Sequence, residues 1–315
     1  MGTGDIALPV FERLAGNGFV VALVTQPDRP VGRSSKPRAP RIKQEAEDRG
    51  IPVLQPENVR CEKEIAAISV FDPELIVVMA YGQILSSSLL CVPPRGCINI
   101  HASLLPRHRG ASCIQAAIAA GDQKSGISVI EMVEELDAGD VLLKKSVTLL
   151  AHETGGSLHD RLAEVAPSVI MECLKKIETQ KIKAYSQDAS LVTYAPQLQR
   201  RDGQIDWRFP ADVLERRIRA YEPWPGSYTN FRDGRGRTKR LKVFAGAEVV
   251  DRERGAASGE VVSVDSSGIG IACGRGALML NDLQIEGGKR LPVAELVRGN
   301  TIEVGECFFS LAGSA

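Results

Sequence analysis

Residues 97–120 read CINIHASLLPRHRGASCIQAAIAA. A short apolar run at 97–101 leads into a loop closed by Pro106 and Gly110, and a helix-like run follows at 112–120. The same alternation extends to both sides. Strand-like runs stand at 19–25 (FVVALVT), 75–79 (LIVVM), 127–133 (ISVIEMV) and 141–148 (VLLKKSVT), each bounded by turn residues. Helix-like stretches lie between or beside them at 5–16, 40–49, 61–70 and 156–178. In the last, Leu158, Leu162, Val165, Val169, Ile170, Cys173 and Ile177 recur at helical spacing, and Thr154 is placed to cap it. Strand–helix alternation predicts an α/β domain over residues 1–182, with a mainly parallel sheet and helices on both faces.

The pattern fades over residues 183–205, which are polar, carry Pro196 and Gly203, and read as a linker. From 206 to 315 a helix-like stretch at 210–221 precedes short strand-like runs at 227–231, 240–249, 259–264, 268–272, 277–285 and 301–309. Short strands at near-regular spacing predict a small β-barrel of five or six strands. A length of 315 residues suits two domains, and 43 % hydrophobic with 25 % charged residues is ordinary for a folded chain. That excludes collagen, a disordered tail and a coiled-coil rod. The apolar runs fall far short of the ~20 residues of a membrane helix. Seven cysteines with no Cys-x-x-Cys predict free, mostly buried thiols in a reducing compartment, with neither a disulfide framework nor a zinc site. No signal peptide is visible, so a cytoplasmic location is expected.

Asn99 and His101, two apart on a predicted strand, project from one face at its carboxyl end, where open α/β sheets bind ligands. His101 can exchange a proton near neutral pH, and Asn99 can orient a polar group without titrating. The plainer reading is a strand-end histidine bonded to a carbonyl. Asp137, in EELDAGD at 134–140, is followed by the small Ala138 and Gly139. It either fixes the charge and tautomer of a histidine or bonds its own turn. The loop QPDRPVGRSSKPRAP at 26–40 is basic through Arg29, Arg33, Lys36 and Arg38, and is either functional or merely solvated. Residues 200–242 hold twelve basic and six acidic side chains, a local +6 in a chain of zero net charge. Trp207, Tyr221, Trp224, Tyr228 and Phe231 are interleaved, as in a nucleic-acid-binding module, although arginines also simply solvate surfaces. Gly2-Thr3-Gly4 is no dinucleotide fingerprint, and His108, His152 and His159 lack metal-ligand spacing and read as surface or capping residues.

INIHASLLPRHRG at 98–110, joined with LDAGD at 136–140, resembles the folate-dependent formyltransferase family, whose pattern is Asn-x-His-x-Ser-Leu-Leu-Pro-x-x-Arg-Gly with a Leu-Asp-x-Gly loop about 35 residues on. TQPDRPVGR (25–33), GIPVLQPENV (50–59), AYGQIL (80–85), LVTYAPQL (191–198), IDW (205–207) and IRAYEPWPGS (218–227) extend the likeness to the members that act on methionyl initiator tRNA. The resemblance implies a Rossmann-like formyltransferase domain followed by an OB-like barrel that helps hold tRNA. It implies formyl transfer from 10-formyltetrahydrofolate to the α-amine of methionyl initiator tRNA, by a monomer, without a metal. Carried across, Asn99, His101 and Asp137 match catalytic positions, and Ser103, Leu104, Leu105 and Pro106 match the folate-binding segment. Arg33, with Lys36 and Arg38 beside it, matches the loop that meets the tRNA acceptor end. The chain departs from the pattern at Ala102 (often Gly), at Ser112-Cys113 (commonly Ala-Pro) and at Ser34-Ser35 (often Gly-Lys).

Two kinds of rival remain. One is the same chemistry on another acceptor: a sugar-nucleotide amine, glycinamide ribotide or water. The other is a catalytically silent RNA-binding relative. The opening MGTGDIALPVF matches the turn and helix that follow the first strand in the family. The expectation is therefore that about six residues of central β-strand precede Met1; the other reading is a complete chain that lacks or borrows that strand.

Overall fold

The computed structural model describes residues 1–30, 37–251, 255–299 and 302–310. Its contacts divide the chain into two compact units. The first comprises Met1–Cys113, Lys124–Thr148 and His159–Pro196; the second comprises Ile114–Gln123, Leu149–Leu158 and Gln197–Ala315. The stretch 183–205 is thus divided at Pro196.

Up to residue 178 the elements in order are α1 (Leu8–Gly16), β1 (Leu23–Val24), β2 (Arg29–Pro30), β3 (Pro37–Arg38), α2 (Arg41–Asp48), β4 (Val53–Leu54), α3 (Glu62–Ser69) and β5 (Ile76–Val78). Then follow α4 (Ser87–Leu90), β6 (Cys97–His101), α5 (Cys113–Ala119), β7 (Lys124–Glu131), β8 (Val141–Thr148) and α6 (Gly155–Glu178). The sheet β5-β6-β7-β8 is mixed, which corrects the mainly parallel expectation. β5 and β6 run parallel, whereas β7 is antiparallel to both β6 and β8. The reason for the second reversal is the direct loop 132–140. A short connection between neighbouring strands forces them antiparallel, because a parallel return needs a crossover of a dozen residues or more. β7 carries an unbroken buried run, Ser125–Ile130, as a strand covered on both faces does.

β1 pairs with β4 in parallel, and residues 19–22 of the expected strand pair with neither. The first residues join these strands to the larger sheet. The Met1 amine donates to Val77 O at 2.6 Å, Met79 N to Met1 O at 3.0 Å, and Gly2 N to Val24 O at 3.0 Å. Alongside this junction runs an apolar slot lined by Phe19, Val21, Leu75 and Val77. α6 begins with reciprocal capping: Ser157 N donates to Thr154 Oγ1 at 3.1 Å, and Thr154 N to Ser157 Oγ at 3.0 Å. Its Leu158, Leu162, Val169, Ile170 and Cys173 are buried, the face that the helical spacing marks out.

The second unit adds α7 (Ala211–Ala220), β9 (Ser227–Arg232), β10 (Thr238–Val243), β11 (Glu248–Val250), β12 (Val261–Val264), β13 (Ile269–Ala272), β14 (Ala277–Leu280), β15 (Asp282–Ile285), β16 (Leu291–Pro292) and α8 (Val293–Gly299). Among the described residues the strands form two four-stranded sheets, β16-β15-β10-β9 and β11-β14-β13-β12, and no closed barrel. The run 277–285, read as one strand, breaks at Asn281. β14 belongs to one sheet and β15 to the other, and the Asn281 amide donates to Gly246 O at 3.0 Å across the step. Residues 302–310 make only isolated bridges, Cys307 with Glu260 and Phe309 with Asn230, where a strand was expected. Trp207, Leu214, Ile218, Phe231, Leu241, Leu278 and Phe308 fill the core of this unit. All seven cysteines are free, and four are buried. Among the described residues no helix is long and apolar enough to cross a membrane.

Candidate functional site

β6 carries Asn99 and His101 to the carboxyl end of the sheet. Asn99 lies opposite Val78 on one side and Ile130 on the other, and His101 lies opposite Ser128. Alternation along the strand puts both side chains on one face. His101 is buried, and its Nε2 lies 2.9 Å from His108 O. A carbonyl oxygen only accepts, so Nε2 carries a hydrogen. That leaves Nδ1 toward Asp137, whose Oδ2 is 3.5 Å away.

Asp137 is held from three directions. Its Oδ1 accepts from Asn99 Nδ2 at 3.1 Å and its Oδ2 from Gly110 N at 2.8 Å. Its backbone is left-handed (φ 51°), so the 132–140 loop holds a strained residue at its tip. Two features over-determine that conformation. A Cβ at Gly139 would lie 1.9 Å from Glu131 O, so only glycine lets the loop return. Gln187 Nε2 donates to Asp137 O at 2.7 Å and to Gly139 O at 2.8 Å. Gln187 is positioned in turn by Arg109, whose Nε donates to Gln187 Oε1 at 3.1 Å and whose Nη1 donates to Glu135 Oε1 at 3.0 Å.

Burial alone lowers the affinity of His101 for a second proton. Cys113, the Asp137 carboxylate and the His108 carbonyl act the other way and push its pKa up to about 9. With Nε2–H on His108 O and Nδ1 facing a carboxylate, the surroundings favour the charged ring, in which both nitrogens carry hydrogen.

Not every residue of the candidate folate segment presents itself. Ser103 is buried and donates to Arg107 O at 2.8 Å, and Leu105 is buried against Ile130 and Val141. Only Leu104 and Pro106 are half-buried. His108, read as a surface or capping residue, is buried instead. Its backbone is left-handed (φ 63°), and Thr193 Oγ1 accepts from its N–H at 2.8 Å. That turn brings its carbonyl to His101. Arg33 and Lys36 lie outside the described residues. Arg38 is exposed on the antiparallel pair β2–β3, opposite Arg29.

In the basic stretch, Arg208, Arg216, Arg219 and Arg237 each pair with an acid of that stretch: Asp206, Asp212, Glu215 and Asp233. The cations on the outer face of β10 are Arg240 and Lys242, and Arg240 lies 4.5 Å from the Tyr228 ring centroid. Trp207 and Phe231 are core residues packed on Phe308, so they offer nothing to a base, while Trp224 is half exposed. Sequence reasoning passed over Gln187, Arg109 and Cys113. Arg109 sits in the quoted motif; Gln187 lies in a stretch without periodicity, and no spacing ties it to Asp137.

Residues 2–174 match the formyl transferase family, and residues 197–301 match the formyl transferase C-terminal domain. The chain belongs to the formyl transferase family. The relatives it matches along nearly its whole length are methionyl-tRNA formyltransferases. That of Akkermansia muciniphila is 47 % identical over 95 % of each chain. That of Geobacter metallireducens is 42 % identical over 97 % of this chain and 96 % of its own. Among solved structures, WlaRD, a sugar 3N-formyl transferase, superposes with a TM-score of 0.64 at 15 % identity, covering 91 % of this chain and 97 % of that one. HypX from Aquifex aeolicus, in complex with tetrahydrofolic acid, superposes with a TM-score of 0.54 at 20 % identity, over 80 % of this chain and 43 % of its own. These two share the fold.

Proposed function

We propose that the protein transfers a formyl group from 10-formyltetrahydrofolate to the α-amino group of methionyl initiator tRNA. The observation that carries this is the cluster Asn99–Asp137–Gly110 with His101 at the end of β6, in a chain similar over its full length to methionyl-tRNA formyltransferases. 10-Formyltetrahydrofolate supplies the formyl group when bound. The residues present suit it. One amide hydrogen of Asn99 goes to Asp137, which leaves the second for a ligand oxygen. Leu104, Pro106 and the exposed Val133 and Leu136 offer apolar surface beside the cluster.

The chemistry needs no covalent enzyme intermediate. As the amine adds to the formyl carbon, charge grows on the formyl oxygen. Pre-aimed donors lower that barrier most; here the donor is the free Asn99 amide hydrogen, while the buried His101, with Nε2 on His108 O and Nδ1 facing Asp137, adds positive charge beside it rather than a hydrogen bond. Asp137 stabilises the imidazolium and accepts the proton lost by the amine, passing it toward the departing nitrogen through water. Residues 1–182 carry this chemistry. Residues 206–315 hold tRNA as an opened OB-like arrangement, reached through 183–205. Arg33, Lys36 and Arg38 meet the acceptor end, and Arg240 and Lys242 add phosphate contacts. We place the activity in the cytoplasm, in a monomer.

The test is direct. The purified chain is incubated with 10-formyltetrahydrofolate and charged initiator tRNA, and N-formyl-methionyl-tRNA is followed. Formation at a rate dependent on both substrates is expected. Formylation of a sugar-nucleotide amine, or folate hydrolysis, in place of tRNA formylation would overturn the reading.

A further inference from the structure

The stretch 183–205 has the composition of a linker, yet residues 185–195 run as a strap bonded to both loops that frame His101. One end is fixed at the start of β8. Val141 N donates to Tyr185 O at 2.9 Å, and Tyr185 N to Val141 O at 3.1 Å. The other end is fixed beyond β6. Arg109 N donates to Thr193 O at 2.8 Å, Ala195 N to Arg109 O at 2.7 Å, and Ser112 N to Ala195 O at 3.2 Å. A Cβ at Gly110 would lie 2.6 Å from Ala195 O, so this close approach of two backbones requires glycine.

Between these ends, two strap side chains hold the two strained residues that face the His101 ring. Asp137, opposite Nδ1, and His108, whose carbonyl meets Nε2, both have left-handed backbones, at φ 51° and 63°. Such a conformation is costly for a residue other than glycine and persists only where its neighbours over-determine it. Gln187 Nε2 donates to Asp137 O at 2.7 Å and to Gly139 O at 2.8 Å. Thr193 Oγ1 accepts from His108 N at 2.8 Å. Arg109 ties the two together: its backbone pairs with Thr193 and Ala195, and its Nε donates to Gln187 Oε1 at 3.1 Å. We propose that the strap belongs to the catalytic framework, with Gln187 and Thr193 as positioning residues. Gln187 sets the Asp137 loop, Thr193 sets the His108 carbonyl, and His101 meets both partners in one geometry. A buried carbonyl without its donor, or an N–H without its acceptor, turns toward water, and the strained residue then relaxes.

The inference rests on the proposed transfer only for its rate readout, so two NMR proton signals that need no substrate are followed beside it. The Gly110 amide reports the bond to Asp137 Oδ2. The His101 Nε2 proton, assigned from its loss in His101→Gln, reports the bond to His108 O. Gln187→Met keeps the length of the side chain without its hydrogen bonds; it shifts the Gly110 amide and speeds its exchange. Gln187→Glu keeps an acceptor for Arg109 Nε but no donor, repeats the Q187M result, and serves if Q187M does not fold. Thr193→Val keeps the shape without the acceptor and shifts the His101 proton. Thr193→Ser keeps the acceptor and leaves that proton in place. In the formylation assay Q187M and T193V each lose about 10- to 100-fold in kcat, as for an ångström-scale displacement, with both KM values within about twofold of native and T193S near native. Folded Q187M and T193V proteins with native kcat, or with kcat lost while both signals stay in their native positions, would overturn the proposal. A native chain that does not formylate, but whose two signals move as stated, would overturn the transfer and uphold the framework.

Discussion

Replacing Asp137 by asparagine tests the site at its most connected point. The carboxylate accepts from two donors, Asn99 Nδ2 at 3.1 Å and Gly110 N at 2.8 Å, and faces His101 Nδ1 at 3.5 Å. An asparagine has one oxygen and one NH₂ group. Gly110 N is backbone and cannot turn, so the oxygen must serve it. The NH₂ then confronts Asn99, whose own amide has to flip and present its oxygen. The donor aimed at the formyl oxygen is thereby lost. His101 loses its counter-charge as well. A unit charge pair near this range is worth about 4 kcal/mol at an effective dielectric of about 20, enough to turn a buried imidazolium neutral at pH 7. Losing the pre-aimed Asn99 donor together with the His101 charge should cost at least a hundredfold in turnover, or about 2.7 kcal/mol of barrier. The assay is single-turnover formation of N-formyl-methionyl-tRNA with saturating folate, beside a thermal melt that checks folding. A folded Asp137→Asn protein with near-native turnover refutes the reasoning.

His101→Ala should lose at least about a hundredfold by itself, and the double variant with Asp137→Asn should lose little more, since the two act as one unit; additive losses in the same assay would separate them. Gln187→Leu leaves the carbonyls of Asp137 and Gly139 without their donor, and should cost about 1–3 kcal/mol of stability together with a fall in turnover, read from melts and initial rates. The pKa of His101 rises from 6.5 unfolded to about 9 folded, so its charge contributes stability in full below 6.5 and the contribution is lost as pH rises through 9; melts from pH 6 to 9.5 should converge between native and His101→Gln toward the alkaline end. Arg33→Ala should raise KM for tRNA without changing folate affinity, and Arg240→Ala with Lys242→Ala should lower the slope of log affinity against log salt by about 1–2, both measurable by filter binding and kinetics.

Much of the first unit is legible because its elements are periodic. α6 shows its face at spacings of three and four, and β6 shows two polar residues at a spacing of two. Elements fail to be legible where pairing, not propensity, decides. FVVALVT has strand character over seven residues, yet only Leu23 and Val24 are paired in register with β4, followed by one hydrogen bond from Thr25 N to Leu54 O. The apolar run 277–285 looks continuous, but which sheet each half joins is set by neighbours far away in sequence. The direction of β7 follows from loop length as much as from strand pattern. At the candidate site, Asn99 and His101 can be placed on one face by alternation alone. Asp137 is tied to them only through resemblance, since the 35 residues between His101 and Asp137 carry no geometric signal. Gln187 is a further 50 residues on, with an amide that donates to main-chain oxygens of the loop, and no residue-type rule singles it out.

The junction at the start of the chain has a consequence for how this sheet breathes. Met1 and Gly2 stitch β1 to the β5 side of the larger sheet with three main-chain hydrogen bonds, beside the apolar slot lined by Phe19, Val21, Leu75 and Val77. β7 and β8, by contrast, are zipped over seven residue pairs. Proteins open in cooperative blocks whose boundaries fall where connections are sparse, and this seam is such a boundary. Amide hydrogens of β1 and β4 should therefore exchange with solvent well before those of β6 and β7. Asn99, His101 and Asp137 all stand on the slow side of the seam, so the cluster should keep its geometry through any opening of β1 and β4.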